Sequence, residues 1–417
     1  MKKDFVKFKA SVFGMGKAGL TLAAVIANSG ISVIGVDINP NIVKAINEGK
    51  STIAEEPGLD ELIKNVAGKM LKATTDGVSA VKNSNVHIII VPLYIDEKNQ
   101  PDYQNILLVA RVIAQGLKKG DLVILETTAP VGTTDVILRK ELEKRSGLKV
   151  GEFQLAHSPE RIMTGYSISR FKEFPKVVAG IDKQSGDSCE QFYKQFCSKV
   201  YRVSSTRTAE LTKIAEGMYR DVNIAIANEL YAISEAYGVN FWELRKAANH
   251  EYCNILEAGI GVGGHCIPVY PHFLIQDQKL AGLTKLTKTA RDVNDAMAEY
   301  FAKKALEIVN ANKHNSKKGI LIIGLTYREG VKEIAYTRAK ALIELLKKSK
   351  IIVKGLDPLL NKTEIKQLFD IENANEAEDW SQYSCIIIVN KEKQYIQKLK
   401  AIDPKVIIDC KNLLERA

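Results

Sequence analysis

The sequence of 417 residues predicts an α/β fold, with two Rossmann-like doubly wound domains joined by a long central helix and a small helical domain. Short apolar runs alternate with helical segments early in the chain, and the same alternation returns near the C-terminus. A helix-periodic run of about 30 residues lies between these regions. Because the chain is too long for one hydrophobic core, two or three domains are expected. The pattern along the chain favours three, at 1–204, 205–312 and 313–417.

The first strand and the turn after it predict a dinucleotide site. The strand Phe8–Phe13 runs into GMGKAGL and an apolar helix, and a second strand, Ser32–Val36, ends at Asp37. Three glycines have the G-x-G-x-x-G spacing: Gly14, Gly16 and Gly19. The helix start offers N–H groups to a pyrophosphate, and Asp37 can accept both ribose hydroxyls. A carboxylate there repels a 2′-phosphate, which favours NAD over NADP; a glycine turn that binds nothing is the alternative.

Further strands continue this domain, and several end in loops that carry reactive side chains. They are predicted at His87–Val91, Leu122–Glu126, Phe153–Ala156, Lys176–Ala179 and Lys199–Val203. Open α/β sheets bind ligands at the carboxyl ends of their strands. Thr127 and Thr128 of TTAPVGTT are therefore expected to face the cofactor, although a threonine before a turn is often only a cap. Glu160 and Arg161 lie at another strand end.

One long helix, Thr206–Tyr237, is predicted from apolar residues at spacings of three and four. It would span about 45 Å, which suits a connector or a dimer interface. Lys213, Gly217 and Arg220 share one face. The two cations could be a solvated stripe, but a glycine inside a helix costs about 1 kcal/mol and indicates close packing or access.

The rest of the chain is predicted as three helices, a polar linker and a second α/β domain. The helices are Phe241–Asn249, Pro271–Ala281 and Lys285 to about Asn312, and NKHNSKK is the linker. The strands GILIIGL, IIVKGLD, SCIIIVN and KVIIDC and the helix TRAKALIELLKKS follow. This domain has Gly324 but no full glycine fingerprint, so a mononucleotide site and a plain scaffold both stay open.

The segment from Ala258 to Leu274, AGIGVGGHCIPVYPHFL, crowds four glycines against Cys266. A cysteine held on such a turn is a candidate nucleophile, and a tight turn with an incidental thiol is the alternative. The six cysteines show no paired metal-ligand spacing, so we expect free thiols and no metal site.

Composition excludes several classes. Hydrophobic content of 46% and charged content of 26% are typical of a globular chain. The net charge of +10 is spread over many helices rather than in a basic stripe, so nucleic-acid binding is not expected. No apolar run reaches the ~20 residues of a membrane helix, and the N-terminus does not have the pattern of a signal peptide. We expect a cytoplasmic protein with no membrane partner.

Seven motifs together resemble the nucleotide-sugar 6-dehydrogenase family, which includes UDP-glucose and UDP-N-acetylmannosamine dehydrogenases. They are GMGKAGL, EEPGL, TTAPVGTT, SPERIMTG, AELTKIAEGMYRDVNIAIANEL, GVGGHCIP and GLTYREGVKE. They cover nearly the whole chain in one order, and RDVNIA and GVGGHCIP are most similar to the branch that acts on N-acetylated sugars.

The resemblance implies a four-electron oxidation of a UDP-sugar C6 alcohol to a carboxylate, with two NAD molecules used in succession. Cys266 would be the nucleophile, Lys213 would stabilise the oxyanion, Glu160 would act on the hydrolytic water, and Thr128 would lie by the nicotinamide. The implied NAD-binding residues are Gly14, Met15, Gly16, Lys17, Ala18, Gly19, Asp37 and Thr128. The implied UDP-sugar-binding residues are Arg161, Ile162, Lys213, Gly217, Arg220, His250, Gly263, Tyr327 and Arg328.

The resemblance also implies NAD on the first domain, UDP on the last, and a homodimer built on the long helix. The expected substrate is a UDP-N-acetylhexosamine, with UDP-N-acetyl-D-mannosamine first and UDP-glucose or another epimer as alternatives. A two-domain hydroxy-acid dehydrogenase and a non-catalytic nucleotide-sugar binding protein are the distant alternatives. The first has no use for a cysteine nucleophile, and the second leaves NAD unreduced.

Four positions depart from the family pattern. Gly217 stands where the family usually has Asn, and Tyr270 stands where it usually has Asp. In the N-acetyl-sugar branch an Arg is expected near Tyr252 and another where Ala335 stands. The first two departures remove an amide and a carboxylate from the implied oxidation site, and loss of one such donor can cost about two to three powers of ten in rate. We still expect a working variant site, because Cys266 and its implied partners are present.

Overall fold

A computed structural model describes residues 8–53, 55–161, 165–311 and 319–415. The chain forms two compact units, residues 1–216 and 217–417. The three-domain division stays a prediction. The linker at 312–318, the end of the helix predicted to reach Asn312, and Ile162 lie outside the described residues.

The first unit is built on a large, mostly parallel sheet. Its strands and one separate hairpin are β1 (Lys9–Phe13), β2 (Ser32–Val36), β3 (Leu71–Thr74), β4 (Val86–Ile89), β5 (Tyr94–Ile95), β6 (Pro101–Asp102), β7 (Leu122–Leu125), β8 (Gln154–His157), β9 (Lys176–Gly180) and β10 (Val200–Arg202). The sheet order is β3-β2-β1-β4-β7-β8-β9-β10, and β5 pairs with β6. The β8–β9 and β5–β6 pairs are antiparallel, while the other pairs are parallel.

Helices cover this sheet. They are α1 (Lys17–Asn28), α2 (Pro40–Asn47), α3 (Leu59–Val66), α4 (Gly77–Lys82), α5 (Gln104–Ala114), α6 (Arg139–Ser146), α7 (Ser167–Glu173) and α8 (Lys183–Tyr193), with a π-helical segment at Thr133–Leu138 before α6. The long helix α9 (Thr206–Ala236) begins in this unit and continues into the second. All four residues of β4 and of β7 are buried, as expected for parallel strands covered on both faces. After β3 at one edge, the chain crosses back to place β4 on the other side of β1. The strand order reverses between β1 and β4, which creates a crevice at their carboxyl ends.

The second unit repeats the pattern on a smaller scale. It contains the remainder of α9 and then α10 (Phe241–Ala248), α11 (Tyr270–Ile275), α12 (Lys285–Ala311), β11 (Ile320–Ile323), α13 (Arg338–Lys348), β12 (Val353–Leu356), α14 (Lys362–Phe369), β13 (Glu372–Asn373), β14 (Cys385–Ile388), α15 (Ile396–Lys400) and β15 (Ile407–Asp409). The sheet is parallel, with the order β13-β12-β11-β14-β15. An apolar core packs α12 and α13 against this sheet.

These observations confirm the predicted α/β fold with Rossmann-like sheets. The strand Ser32–Val36 was predicted to the residue. The predicted helix Pro271–Ala281 is wrong, because α11 ends at Ile275 and the Asp277 side chain then accepts the Lys279 N–H to start a 3-10 turn. The prediction also omitted β3, β13 and the β5–β6 hairpin.

Two further properties bear on function. In the described ranges, no helix is both long enough and apolar enough to cross a bilayer. Over the same part of the chain, no cluster of three or more His, Cys, Asp or Glu side chains could hold a metal ion.

Candidate functional site

The glycine turn after β1 forms the first part of the site. The Gly14 N–H donates to the Val36 oxygen at 2.9 Å, and the Met15 N–H donates to Asp37 Oδ2 at 2.8 Å. A β carbon at Gly19 would stand 1.8 Å from the Gly14 oxygen, so only glycine lets α1 approach the strand this closely. The turn therefore locks Asp37 beside the first residues of α1.

This turn fits a dinucleotide. Within the described residues, no side chain caps α1 at Gly16, and no heavy atom lies within 4 Å of where a β carbon at Gly16 would stand. The start of α1 therefore has room for a phosphate group at the positive end of the helix dipole. Asp37 is half-buried, and each of its oxygens accepts one backbone N–H. A carboxylate keeps further lone pairs for ribose hydroxyls.

The second sheet has an acid at the corresponding place, but that acid is occupied. The Leu325 and Thr326 N–H groups and the Thr326 hydroxyl donate to Asp357 Oδ2 at 2.8, 2.9 and 3.0 Å. The Leu359 N–H donates to its other oxygen at 2.9 Å, and Asp357 is only 2% exposed. Asp357 therefore stabilises its own turn, whereas Asp37 is accessible to a ligand.

The TTAPVGTT loop is held to the start of α9 by Glu210, which the sequence did not single out. Its Oε2 accepts the Gly132 N–H at 2.6 Å, and its Oε1 accepts both the Thr134 N–H and hydroxyl at 2.7 Å. Burial raises the pKa of the Glu210 carboxyl to about 7, although the three hydrogen bonds that it accepts lower that pKa. Thr128, earlier in the same loop, is 8% exposed. The sequence signal that could have identified Glu210 is the position of an acid on the apolar face of α9, next to Ala209 and Ile214.

Lys213 lies one helical turn after Glu210 and is half-buried. Because residues three apart share a helix face, Lys213 projects from the same side of α9 as the anchored Glu210. This orientation supports the role predicted for the lysine, which stays a prediction.

Glu160 and Arg161 follow β8 in a loop that rests on a buried ion pair. The Glu160 N–H donates to the backbone carbonyl oxygen of Glu126 at 3.1 Å. The Glu126 carboxylate contacts Lys176 Nζ at 2.9 Å and the Tyr193 hydroxyl, and all three side chains are buried. Breaking such a buried pair by removing one partner is strongly destabilising, so the loop has a rigid base.

Arg161 has partners of its own. Its guanidinium lies 2.5 Å from Glu216 Oε1 and donates to the Pro175 oxygen at 2.9 Å. Farther along the loop, the Gly165 N–H donates to Glu56 Oε2 at 2.8 Å, which connects the EEPGL motif to this segment. A UDP-sugar role for Arg161 therefore requires that it share or exchange its carboxylate partner.

The thiol turn belongs to the second unit. Cys266 is exposed, while Cys253 is half-buried and the remaining four cysteines are buried. Upstream, the Gly259 N–H donates to Asn228 Oδ1 at 2.9 Å, and the Asn228 amide donates to Asn294 at 2.9 Å. Both asparagines are fully buried, so α9 and α12 hold the start of the loop.

A buried ion pair continues this network. The Asn294 amide donates to Asp221 Oδ1 at 2.9 Å, and Arg291 donates to the same oxygen at 2.6 Å. Burial raises the pKa of Asp221, and the Arg291 charge opposes that rise. The thiol turn is therefore attached to a hydrogen-bonded core rather than to a mobile surface.

The structure brings Gly263 and Tyr327 together. A β carbon at Gly263 would lie 2.9 Å from Tyr327 Cβ, and one at Gly264 would lie 3.0 Å from its ring. The Gly264 N–H donates to the Ala335 oxygen at 2.9 Å, and Arg328 Nε donates to the Tyr327 hydroxyl at 2.9 Å. The loop after β11 thus packs on the glycines beside the thiol, and it carries a guanidinium.

Gly217 and Tyr270, the first two departures from the family pattern, are also in contact. A β carbon at Gly217 would stand 2.8 Å from Tyr270 Cδ2. Two other predicted residues are exposed. Arg220 lies on α9, and His250 Nδ1 accepts the Tyr252 N–H at 3.1 Å. Thr128, Glu160, Arg161 and Lys213 belong to the first unit, and the Cys266 group belongs to the second.

Three family matches cover the described core of the chain. They are the NAD binding domain of the UDP-glucose/GDP-mannose dehydrogenase family at residues 8–197, its central domain at 207–296 and its UDP binding domain at 321–416. The chain belongs to the UDP-glucose/GDP-mannose dehydrogenase family. It is therefore an NAD-dependent enzyme of that family, as its glycine turn and thiol loop predicted.

Several members of the family are similar to this chain over nearly their full length. The UDP-N-acetyl-D-mannosamine dehydrogenase of Campylobacter jejuni is 35% identical over 409 residues, which are 94% of this chain and 98% of that protein. An NDP-N-acetyl-D-galactosaminuronic acid dehydrogenase of Ralstonia solanacearum is 34% identical, over 97% of this chain and 95% of that one. The solved UDP-D-ManNAc dehydrogenase of Pyrococcus horikoshii superimposes with a TM-score of 0.88 at 31% identity, covering 98% of this chain and 96% of its own.

Proposed function

We propose that the protein oxidises the C6 alcohol of a UDP-N-acetylhexosamine to the carboxylate in two NAD-dependent steps, with UDP-N-acetyl-D-mannosamine as the substrate. The observation that carries this proposal is the exposed Cys266 on a turn held by a buried hydrogen-bond network. A two-electron alcohol dehydrogenase has no need of such a thiol, whereas an aldehyde needs a nucleophile before its second oxidation. The similarity to mannosamine and galactosaminuronic acid dehydrogenases supports the acetamido sugar.

Each side chain has a defined task in the scheme. NAD, when bound at the Gly14–Gly19 turn and Asp37, supplies the electron acceptor for both oxidations. The Thr128 hydroxyl orients the reactants beside it, and the Lys213 ammonium stabilises negative charge on the C6 oxygen. Glu160 takes a proton from the water that finishes the reaction.

Cys266 makes and breaks the covalent bond. Its sulfur adds to the C6 aldehyde carbon, and its proton ends on the C6 oxygen, which gives a thiohemiacetal. Oxidation of that carbon gives a thioester. Water then adds, the carbon–sulfur bond breaks, and the carboxylate and the free thiol are released.

The loop after β11 is proposed to bind the UDP moiety next to the thiol. Gly263 and Tyr327 are packed together, and Arg328 offers a guanidinium that suits a diphosphate. Burial raises the pKa of the Tyr327 hydroxyl, so that it stays protonated at neutral pH. Arg161, Arg220 and His250 complete the proposed substrate set.

The decisive test is a panel of UDP-sugars incubated with the protein and NAD. The panel contains UDP-N-acetylmannosamine, UDP-N-acetylglucosamine, UDP-N-acetylgalactosamine and UDP-glucose. We expect two NADH for each UDP-N-acetylmannosamine consumed. One NADH per sugar would exclude the four-electron scheme, and no NADH with any sugar would favour a binding protein. Faster turnover of UDP-glucose would exclude the proposed substrate.

We also propose that the enzyme is a cytoplasmic homodimer built on α9. Tyr219, Ile226 and Ile233 lie seven residues apart and are 66%, 48% and 44% exposed, so they form an apolar stripe on one helix face. A reducing compartment would keep Cys266 a free thiol. Ile226→Glu should convert a dimer to a monomer by light scattering, while Ile352→Glu, at an exposed position next to the second sheet, should not. A monomeric wild-type chain would contradict this proposal.

A further inference from the structure

Gly217 creates a gap in the surface of α9. It is a buried glycine inside a 31-residue helix, where glycine costs about 1 kcal/mol relative to alanine. A β carbon at this position would lie 2.8 Å from Tyr270 Cδ2 and 3.2 Å from Tyr270 Cβ. Carbon atoms do not approach so closely without displacement, since their optimal separation is about 3.5–4.0 Å. We call this gap, filled by the Tyr270 ring, the Gly217 notch.

The ring in the notch is directly connected to the thiol turn. Tyr270 is the first residue of α11, and its N–H donates to the Cys266 oxygen at 3.0 Å. The side chain is 8% exposed and packs against the Phe273 ring at 5.8 Å between centroids. The ring in the notch and the turn that carries the sulfur are therefore joined through the Tyr270 backbone.

We propose that Tyr270 is a positioning residue for Cys266, and that the Gly217 notch sets the distance between the thiol turn and α9. This inference rests on the proposed four-electron oxidation, because it concerns the step that needs the thiol. It also makes the two departures from the family pattern a single exchange: any larger residue at position 217 would collide with the aromatic ring at 270. The ring contacts the glycine through carbon atoms, which a phenylalanine ring would also provide.

The expected effect of filling the notch follows from its dimensions. In Gly217→Ala the new methyl group must push the ring from 2.8 Å to about 3.5–4.0 Å, a shift of about 1 Å. A misplacement of that size can cost about a hundredfold in rate. The loss should fall on the second oxidation, because only that step uses the sulfur. The aldehyde should then escape, and the NADH yield should drop from two per sugar towards one.

The test is a double-mutant cycle on the full-length enzyme, with Gly217→Ala, Tyr270→Ala and the double variant. Aldehyde trapped as its hydrazone and carboxylate are measured together with NADH. We expect Gly217→Ala to lower the carboxylate-to-aldehyde ratio about a hundredfold when Tyr270 is present, and less than about threefold when it is alanine. Tyr270→Phe keeps the ring and should still give two NADH per sugar. Additive effects in the cycle, or a Phe variant that behaves like the Ala variant, would overturn the proposal.

A second measurement does not depend on turnover. The alkylation rate of Cys266 by iodoacetamide, followed on its peptide by mass spectrometry, should show the same non-additive cycle. If wild type reduced no NAD with any UDP-sugar, the proposed function would fail while this cycle still decided the positioning role. Thermal unfolding checks that each variant is folded. If Gly217→Ala does not fold, the comparison of Tyr270→Phe with Tyr270→Ala decides instead.

Discussion

Replacement of Glu210 by glutamine tests how the TTAPVGTT loop is held to α9. The carboxylate accepts three hydrogen bonds, from the Gly132 N–H at 2.6 Å and from the Thr134 N–H and hydroxyl at 2.7 Å. Glutamine keeps one acceptor oxygen and turns an NH2 group towards an N–H donor. One stranded buried donor costs about 1–3 kcal/mol of unfolding free energy. Turnover should also fall, because the same loop carries Thr128.

The pH dependence of that loss gives a sharper test. Burial raises the pKa of Glu210 from 4.5 to about 7. The unfolded chain therefore ionises first, and the stability contributed by this group is complete below pH 4.5 and lost as pH rises through 7. Between pH 5 and pH 8 the unfolding free energy of wild type should fall by about 2–3 kcal/mol because of this carboxyl. Glutamine does not ionise, so the variant does not show this fall.

The assay is urea unfolding of wild type and Glu210→Gln at pH 5, 6, 7 and 8. The unfolding free energy of wild type relative to Glu210→Gln should fall by about 2–3 kcal/mol from pH 5 to pH 8. Glu97→Gln, at an exposed hairpin position of the same unit, is the matched control and should stay within about 0.5 kcal/mol of wild type. A difference between wild type and Glu210→Gln that rises with pH would mean that the three donors outweigh burial, which would refute the reasoning.

Three further predictions concern the thiol, the cofactor and acid stability. Cys266→Ser should abolish carboxylate formation and leave NAD affinity by calorimetry nearly unchanged; undiminished turnover would contradict the thiol's role. Wild type should prefer NAD to NADP by about a hundredfold or more in kcat/KM. Asp37→Ser should reduce that preference about tenfold or more, because up to two hydrogen bonds to the ribose are lost. An unchanged preference would mean that Asp37 does not contact the cofactor. Burial lowers the pKa of His157 from 6.5 to about 3, so its contribution to stability is complete above pH 6.5 and decreases by about 2 kcal/mol at pH 5. In His157→Gln the unfolding free energy should therefore fall less between pH 7 and pH 5 than in wild type, and an equal fall would mean that other groups cause the loss of stability in acid.

Much of the first unit follows from local sequence. The strand–glycine–helix–strand–acid pattern placed β1, α1, β2 and Asp37 because each element has its own signal: an apolar run, a G-x-G-x-x-G turn or a terminal carboxylate. The long helix α9 was predicted to within one residue at its C-terminus, because its apolar spacing has no interruption apart from Gly217.

Other elements could not be predicted from local patterns. Strand β3 has the sequence LKAT and gains its identity only by pairing with β2, and β13 has two residues. The predicted helix from Pro271 was too long because apolar spacing continues past Ile275, while the Asp277 side chain redirects the backbone.

The site shows the same division. Cys266 stood out because glycines surround it, but the role of Glu210 depends on N–H groups more than 70 residues away in the chain. The contact between Gly217 and Tyr270 also joins residues that are far apart in the chain. Each residue alone departs from a family pattern, and only the packed structure shows that the two departures fit each other.

The most direct test of the central claim is a search for the acylated thiol. Glu160→Gln should slow the final hydrolysis, so that the enzyme mixed with UDP-N-acetylmannosamine and excess NAD releases two NADH per site and then stops. Mass spectrometry should find the sugar nucleotide on the Cys266 peptide, in a bond that hydroxylamine cleaves. Release of two NADH per sugar with Cys266 unmodified, or with the adduct on another cysteine, would contradict the account.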